Sequence, residues 1–257
     1  MLPLCGVLAV VRDQGHVLSE AEGLHALVSN GFMWHSHPDL SNFVTWSGQG
    51  LALCTMMKVG STTLDALGFF KMSKSTATHA LLDPDTVRAI VVRNPVDRFL
   101  SWHNDKIVHG TAEQVGAYNS LLLRSHATTR HTALVYADAI RRRPRQAWDL
   151  EYHLSPMSRM CHLNILEYDV VGDLDNLSSF WKALRALNVS LPPGIRNESR
   201  MNEKGHIGAN DIGCSLHEAL SDIYRQDIRR LQKLAMKHAK LLLHLQRGFA
   251  DSNCTTA

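Results

Sequence analysis

At 257 residues, 45% hydrophobic and 20% charged, the chain is long enough to bury the core of one large α/β domain and too apolar for a disordered segment. A formal charge of +3 with 15 histidines describes a mildly basic surface that favours anionic ligands. The only dense basic run, Arg141-Arg142-Arg143-Pro144-Arg145, reads as a solvated loop and is less concentrated than nucleic-acid binders require, so no nucleic-acid partner is expected.

In chain order, the apolar opening Met1 to Val11 falls far short of the roughly 20 residues that span a bilayer and lacks a basic flank, so no membrane anchor is visible in it. Residues 1–48 mix turn formers with short apolar pieces and are assigned to loops and minor elements. Three short apolar runs then read as strands: Leu51 to Met56, leading into a turn at Gly60; Arg88 to Arg93; and Asn164 to Val171. A helical pattern follows each, the alternation of a parallel sheet flanked by helices. The helix after Arg93 has a well-formed start, Asn94 as cap and Pro95 at the first helical position, and runs to about Val108. Residues 191–213 are assigned to loops. A long C-terminal helix is expected over residues 215–247, opened by the capping box Ser215-Leu216-His217-Glu218, with Leu220, Tyr224, Ile228, Leu231 and Leu234 on one stripe. The expectation is a single domain over residues 1–257, α/β in class.

The five cysteines, Cys5, Cys54, Cys161, Cys214 and Cys254, contain no CxxC pair, so spacing reads out neither a zinc site nor a disulfide framework, and Cys54 reads as strand packing with Met56 and Met57. Sequons at Asn176, Asn188, Asn197 and Asn253 permit a lumenal glycoprotein. Trp102, Trp148 and Trp181 sit in apolar patterns and read as packing residues.

Two constellations carry chemistry. In the first, Lys58-Val59-Gly60-Ser61-Thr62-Thr63 joins an apolar strand to a helix start. Free amides, hydroxyls and the Lys58 charge suit a phosphate there, and Gly60 lets the backbone come close. A nucleotide triphosphatase loop has the order GxxxxGK[ST]; here lysine precedes the glycine and the first glycine is missing, which disfavours ATP hydrolysis. Alone, this turn reads more readily as a plain strand-to-helix connection, and the second constellation changes that balance. In the second, Val91-Val92-Arg93-Asn94-Pro95-Val96-Asp97-Arg98-Phe99-Leu100-Ser101, Arg93 ends a strand, where ligands of open α/β sheets collect. Ser101 lies two helical turns beyond the cap and projects on the side of the helix start, so guanidinium and hydroxyl suit a second phosphate. Arg98 reads as a partner of Asp97 or Asp105.

With these motifs the sequence resembles the 3′-phosphoadenosine 5′-phosphosulfate (PAPS)-dependent sulfotransferases, in particular the carbohydrate group that includes the HNK-1 and chondroitin/dermatan enzymes. The family's PKxGxT-like loop and RxPxxRxxS segment correspond to MKVGSTT and RNPVDRFLS here. Residues 148–161, with His153, Pro156 and Cys161, resemble its HWxPxxxLC block; Tyr168-Asp169 through Gly172, Asp175 and Leu177 resemble YDxxGxxExL; Tyr224 to Asp227 resembles the closing motif. Met57 stands where proline is usual and Asp175 where glutamate is usual, and the second cysteine after Cys161 is missing.

The resemblance implies a sulfotransferase fold with a P-loop-like sheet, PAPS as donor and PAP as product, no required metal, a carbohydrate acceptor and a Golgi location. It implies donor binding by Lys58, Val59, Gly60, Ser61, Thr62, Thr63, Arg93 and Ser101, with Lys58 steadying the leaving phosphate. His79, between the phosphate loop and the Arg93 strand, occupies the region where related enzymes supply a catalytic base. His153 is an alternative base, as is His103, which otherwise simply faces outward. Arg200 and Lys204-Gly205 read either as a solvated loop or as a flap over the donor. A P-loop-type kinase and a catalytically silent PAP-binding homologue are the competing functions.

Overall fold

The computed structural model describes residues 10–11, 17–18, 43–45, 50–56, 58–59, 61–163, 166–193, 195 and 213–237. Strands β1 (Val10–Val11) and β2 (Val17–Leu18) form a small antiparallel ribbon. The main sheet contains β3 (Phe43–Thr45), β4 (Leu51–Cys54), β5 (Phe70–Lys71), β6 (Val87–Val92) and β7 (Val170–Asp173), in the order β5-β3-β4-β6-β7. Between β4 and β6 lie α1 (Ser61–Ala66) and α2 (Lys74–Leu82), and β6 leads directly into α3 (Pro95–His103).

Strands β4, β6 and β7 run parallel, as the alternation of strand and helix requires, but β3 is antiparallel to both β4 and β5. The sheet is therefore mixed, a correction to the parallel sheet expected. The reason is chain length: only residues 46–50 separate β3 from β4, enough for a reversal and far too few for a parallel crossover of a dozen or more. β4 is buried along its whole length and β6 over its last four residues, which is why both read as unbroken apolar runs.

β7 begins at Val170, and Asp169 just before it already bonds β6, its amide donating to the Arg88 carbonyl at 2.8 Å; Asn164 and Ile165, where the strand was expected to start, lie outside the described residues. The Tyr168 hydroxyl donates to the Cys161 carbonyl at 2.6 Å, and the Asp169 carboxylate accepts the Arg88 amide at 2.7 Å. Gly172 is required by packing: a Cβ there would lie 2.5 Å from the Phe180 ring.

The start of α3 matches the expected cap, with the Asn94 side chain accepting from the Val96 amide at 2.9 Å, and a π-helical turn over Asn104–Val108 carries the helical path to Val108. Then follow α4 (Ala112–Tyr118), α5 (Ala133–Arg142), α6 (Pro144–Leu150), α7 (Met157–Met160) and α8 (Leu177–Ala186). Residues 141–145 are the junction of α5 and α6 rather than a loop; Arg141 pairs with Asp138 at 3.3 Å.

Two helices, α9 (Cys214–Ile223) and α10 (Arg225–Lys237), stand where one continuous helix was expected, and residues 238–247 of that expected helix lie outside the described residues. α9 begins one residue before Ser215 with Gly213 as cap, so the capping box does not form. The break falls at Tyr224, whose hydroxyl instead reaches the Leu154 carbonyl at 3.1 Å. The stripe survives the break: Leu220, Tyr224 and Leu231 are buried. Among the described residues no helix is long and apolar enough to cross a membrane.

One apolar core packs on the sheet, and a second lies among the helices, centred on Phe99, Trp102, Tyr136, Leu154 and Tyr224. Trp102 and Trp181 are buried in these cores and Trp148 packs against the second, as read from their patterns. A disulfide joins Cys54, the last residue of β4, to Cys161 just after α7, with Cα atoms 5.9 Å apart and 107 positions between them in sequence. Cys54 is thus covalently bound as well as packed. Loop-closure entropy assigns a bridge of this span about 4–5 kcal/mol. Cys214 is disulfide-bonded as well.

Candidate active site

Four residues after Cys54 the chain turns at Lys58, whose backbone lies in the left-handed region at φ 66°. For a residue with a side chain this conformation costs roughly 1 kcal/mol, and such strain collects at functional sites. The Lys58 ammonium donates to Asp105 Oδ2 at 2.5 Å, and Lys106 approaches the same oxygen at 3.1 Å. Burial works against the Asp105 carboxylate, but its bonds to the two lysines outweigh that and hold its pKa at about 2. Two lysines sharing one carboxylate leave a net positive charge beside the loop.

Arg93 lies just beyond the end of β6 and donates from Nη1 to the Lys58 carbonyl at 3.1 Å. The two sequence motifs, 35 residues apart, therefore meet at the carboxyl ends of adjacent parallel strands. Ser101 stands half-buried on α3, two turns from its start. Val59 is buried under the loop. Gly60 and the side chains of Ser61, Thr62 and Thr63 lie outside the described residues, as do Arg200, Lys204 and Gly205.

The histidines separate clearly. His79 is exposed in the last turn of α2, and its ring has no partner among the described residues. His103 does not face outward: its Nε2 meets the His131 carbonyl at 3.1 Å, its ring packs against Tyr136, and burial lowers its pKa. The ring of His153 contacts the Glu151 carboxylate through Nδ1, and the same oxygen accepts the His153 backbone amide at 2.9 Å.

The backbone around His153 is held from three sides. Arg98, 1% exposed, donates to the carbonyls of His153 at 3.0 Å and Ser155 at 2.5 Å, with its guanidinium 5.6 Å from the centre of the Tyr224 ring. This corrects its reading as a partner of Asp97 or Asp105. Tyr224 holds Leu154, and the fully buried Asp227 accepts the amides of Met157 at 2.6 Å and Ser158 at 2.7 Å. Burial pushes the Asp227 carboxyl up despite the Arg98 charge and these bonds. Residues remote in sequence thus build one clamp, and its far end is tied to the Lys58 strand by the disulfide.

Sequence reasoning missed the pairing of Lys58 with Asp105 and that of Glu151 with His153. The available signals were positional: Asp105 follows Ser101 by one helical turn, and Glu151 stands two residues before His153. Among the described residues no cluster of three or more His, Cys, Asp or Glu side chains has metal-binding geometry.

A family model described as "Sulfotransferase family" matches residues 56–236, more than two thirds of the chain, including Lys58, Arg93, Ser101, the Glu151–His153 segment and Asp227. No curated protein and no solved structure matches it.

Proposed function

The chain belongs to the sulfotransferase family, and from that premise we propose that it transfers a sulfuryl group from PAPS to a carbohydrate hydroxyl, in the manner of the HNK-1 and chondroitin/dermatan group it resembles. The observation that carries this reading is the convergence of Lys58 and Arg93 at the carboxyl ends of β4 and β6. PAPS carries phosphate groups at two ends of its adenosine, so two separate cationic points suit it better than the single loop of a triphosphate site. Lys58 is 18% exposed and within reach of a ligand, and its partner Asp105 is exchangeable for a more highly charged phosphate oxygen.

In this reading Lys58 binds the 5′-phosphate and steadies the charge that grows on its oxygen as the sulfuryl group departs. Arg93 and Ser101 bind the 3′-phosphate and set the donor in line with the acceptor. Val59, Gly60, Ser61, Thr62 and Thr63 are assigned to the 5′-phosphosulfate in the same reading. The buried Cys54–Cys161 disulfide supports folding in an oxidising compartment, consistent with the Golgi lumen, and Asn188 presents its sequon exposed in a left-handed turn.

Labelled sulfate from PAPS is expected to enter chemically desulfated chondroitin or dermatan in the presence of this protein and not in its absence. Label that enters none of a panel of glycans, but does enter a small phenol or steroid, would remove the carbohydrate acceptor and leave the donor chemistry standing.

A further inference from the structure

Resting on the donor-site reading above, we propose that Glu151 and His153 form the proton-accepting pair of the acceptor subsite, His153 taking the proton of the acceptor hydroxyl and Glu151 holding its ring. With Nδ1 against the carboxylate, the hydrogen-bond network assigns the ring hydrogen to Nδ1 and leaves a lone pair on Nε2. Nε2 has no partner among the described residues. The His153 side chain is 14% exposed and that of Glu151 9%, so the pair is largely shielded from water with the ring its more accessible member.

Two connections join the segment that carries the pair to the segments that carry Lys58 and Arg93. Arg93 grips the Lys58 carbonyl, and Arg98, five residues further along the same strand-to-helix segment, grips the His153 carbonyl. The disulfide ties Cys54, four residues before Lys58, to Cys161, eight after His153. A buried guanidinium and a disulfide thus link the pair's segment to the strand ends that carry Arg93 and Lys58.

The groups around the pair leave the imidazole as the proton acceptor. Tyr118 bonds Glu151, and burial together with the Glu151 charge pushes the Tyr118 and Tyr152 hydroxyls up, so both keep their protons. Burial opposes the Glu151 charge, but bonds from His153 and Tyr118 prevail and hold its carboxyl low. Asp105 is committed to Lys58 and Lys106, and the Lys106 charge also reaches Tyr152. His79 has no carboxylate behind it among the described residues, and His103 is occupied by the His131 carbonyl.

In the step, Nε2 of His153 takes the hydroxyl proton as the acceptor oxygen bonds to sulfur. The bond from sulfur to the phosphate oxygen breaks, and its electron pair leaves on that oxygen, beside Lys58. The imidazolium, stabilised by Glu151, then returns its proton to solvent.

The test measures PAPS turnover with desulfated chondroitin and with water alone as acceptor, and PAP binding by calorimetry, for the parent and for His153→Ala, Glu151→Gln and His79→Ala. His153→Ala is expected to lower kcat by about 10²–10⁴-fold at unchanged PAP affinity, with partial rescue by added imidazole. Glu151→Gln lowers kcat by about tenfold or more without raising KM, and His79→Ala stays near the parent. If the alanine variant loses PAP binding, His153→Gln, which retains a donor toward Glu151, replaces it and is read by the same outcomes. Parental turnover in a PAP-binding His153 variant overturns the pair and leaves sulfuryl transfer intact; a parent that neither binds PAP nor consumes PAPS overturns the donor reading and the pair together.

Discussion

Replacing Lys58 with alanine lowers the rate of sulfuryl transfer by about two to three orders of magnitude, the cost of removing one group aimed at charge that develops in the transition state. Stability hardly changes, because the ion pair lost joins Lys58, 18% exposed, to Asp105, 39% exposed, and pairs this open to water contribute about 0–1 kcal/mol. Lys106 remains to neutralise Asp105. Single-turnover rates with PAPS in excess, beside urea titrations of both proteins, separate the two effects. A Lys58→Ala protein transferring sulfate within a factor of about two of the parent is incompatible with the electrostatic role, since loss of such a group costs at least about a hundredfold.

The largest loss of stability is expected at Arg98 rather than at any residue of the donor site. Arg98→Ala strands the carbonyls of His153 and Ser155, removes the charge that steadies the buried Asp227 and opens a void beside Tyr224. Breaking a buried charged network from one side costs about 3–5 kcal/mol, a large part of the roughly 5–15 kcal/mol that holds a domain folded. Arg98→Lys does not restore it, because a single ammonium does not span two carbonyls that the guanidinium fork bridges. Equilibrium urea unfolding reads this directly, and a loss below about 1 kcal/mol would mean that the segment around His153 is held by something else.

Strands β4 and β6 and the start of α3 were legible because local chemistry decides them: apolar runs buried on both faces, then a capping asparagine and a proline. β3 itself went unrecognised, within residues 1–48 assigned to loops and minor elements, because a strand of three residues leaves almost no pattern. The division of the C-terminal helix at Tyr224 left no mark in the sequence, because the apolar stripe runs on through it and Tyr224 keeps its helical backbone bonds to Leu220 and Ile228.

At the site, Lys58 and Arg93 were identifiable from strand ends and residue type, and the fold brings them together. Asp105 was not, since its pairing with Lys58 spans 47 positions and depends on how α3 crosses the sheet. Arg98 misled for the same reason: acidic neighbours in sequence suggested a surface ion pair, whereas its partners are carbonyls 55 and 57 positions away. The cysteines carried no spacing signal because the bridge closes over 107 positions.

Calorimetric titration of PAP, with ATP as the control ligand and Arg93→Ala alongside, decides whether Lys58 and Arg93 converge on a PAP-shaped donor site. The predicted result is saturable PAP binding in roughly the micromolar range, little heat from ATP, and affinity at least about tenfold weaker in the variant, the scale of one charge-assisted hydrogen bond. Folded protein that takes up no PAP, or an Arg93→Ala variant that binds PAP as tightly as the parent, would contradict it.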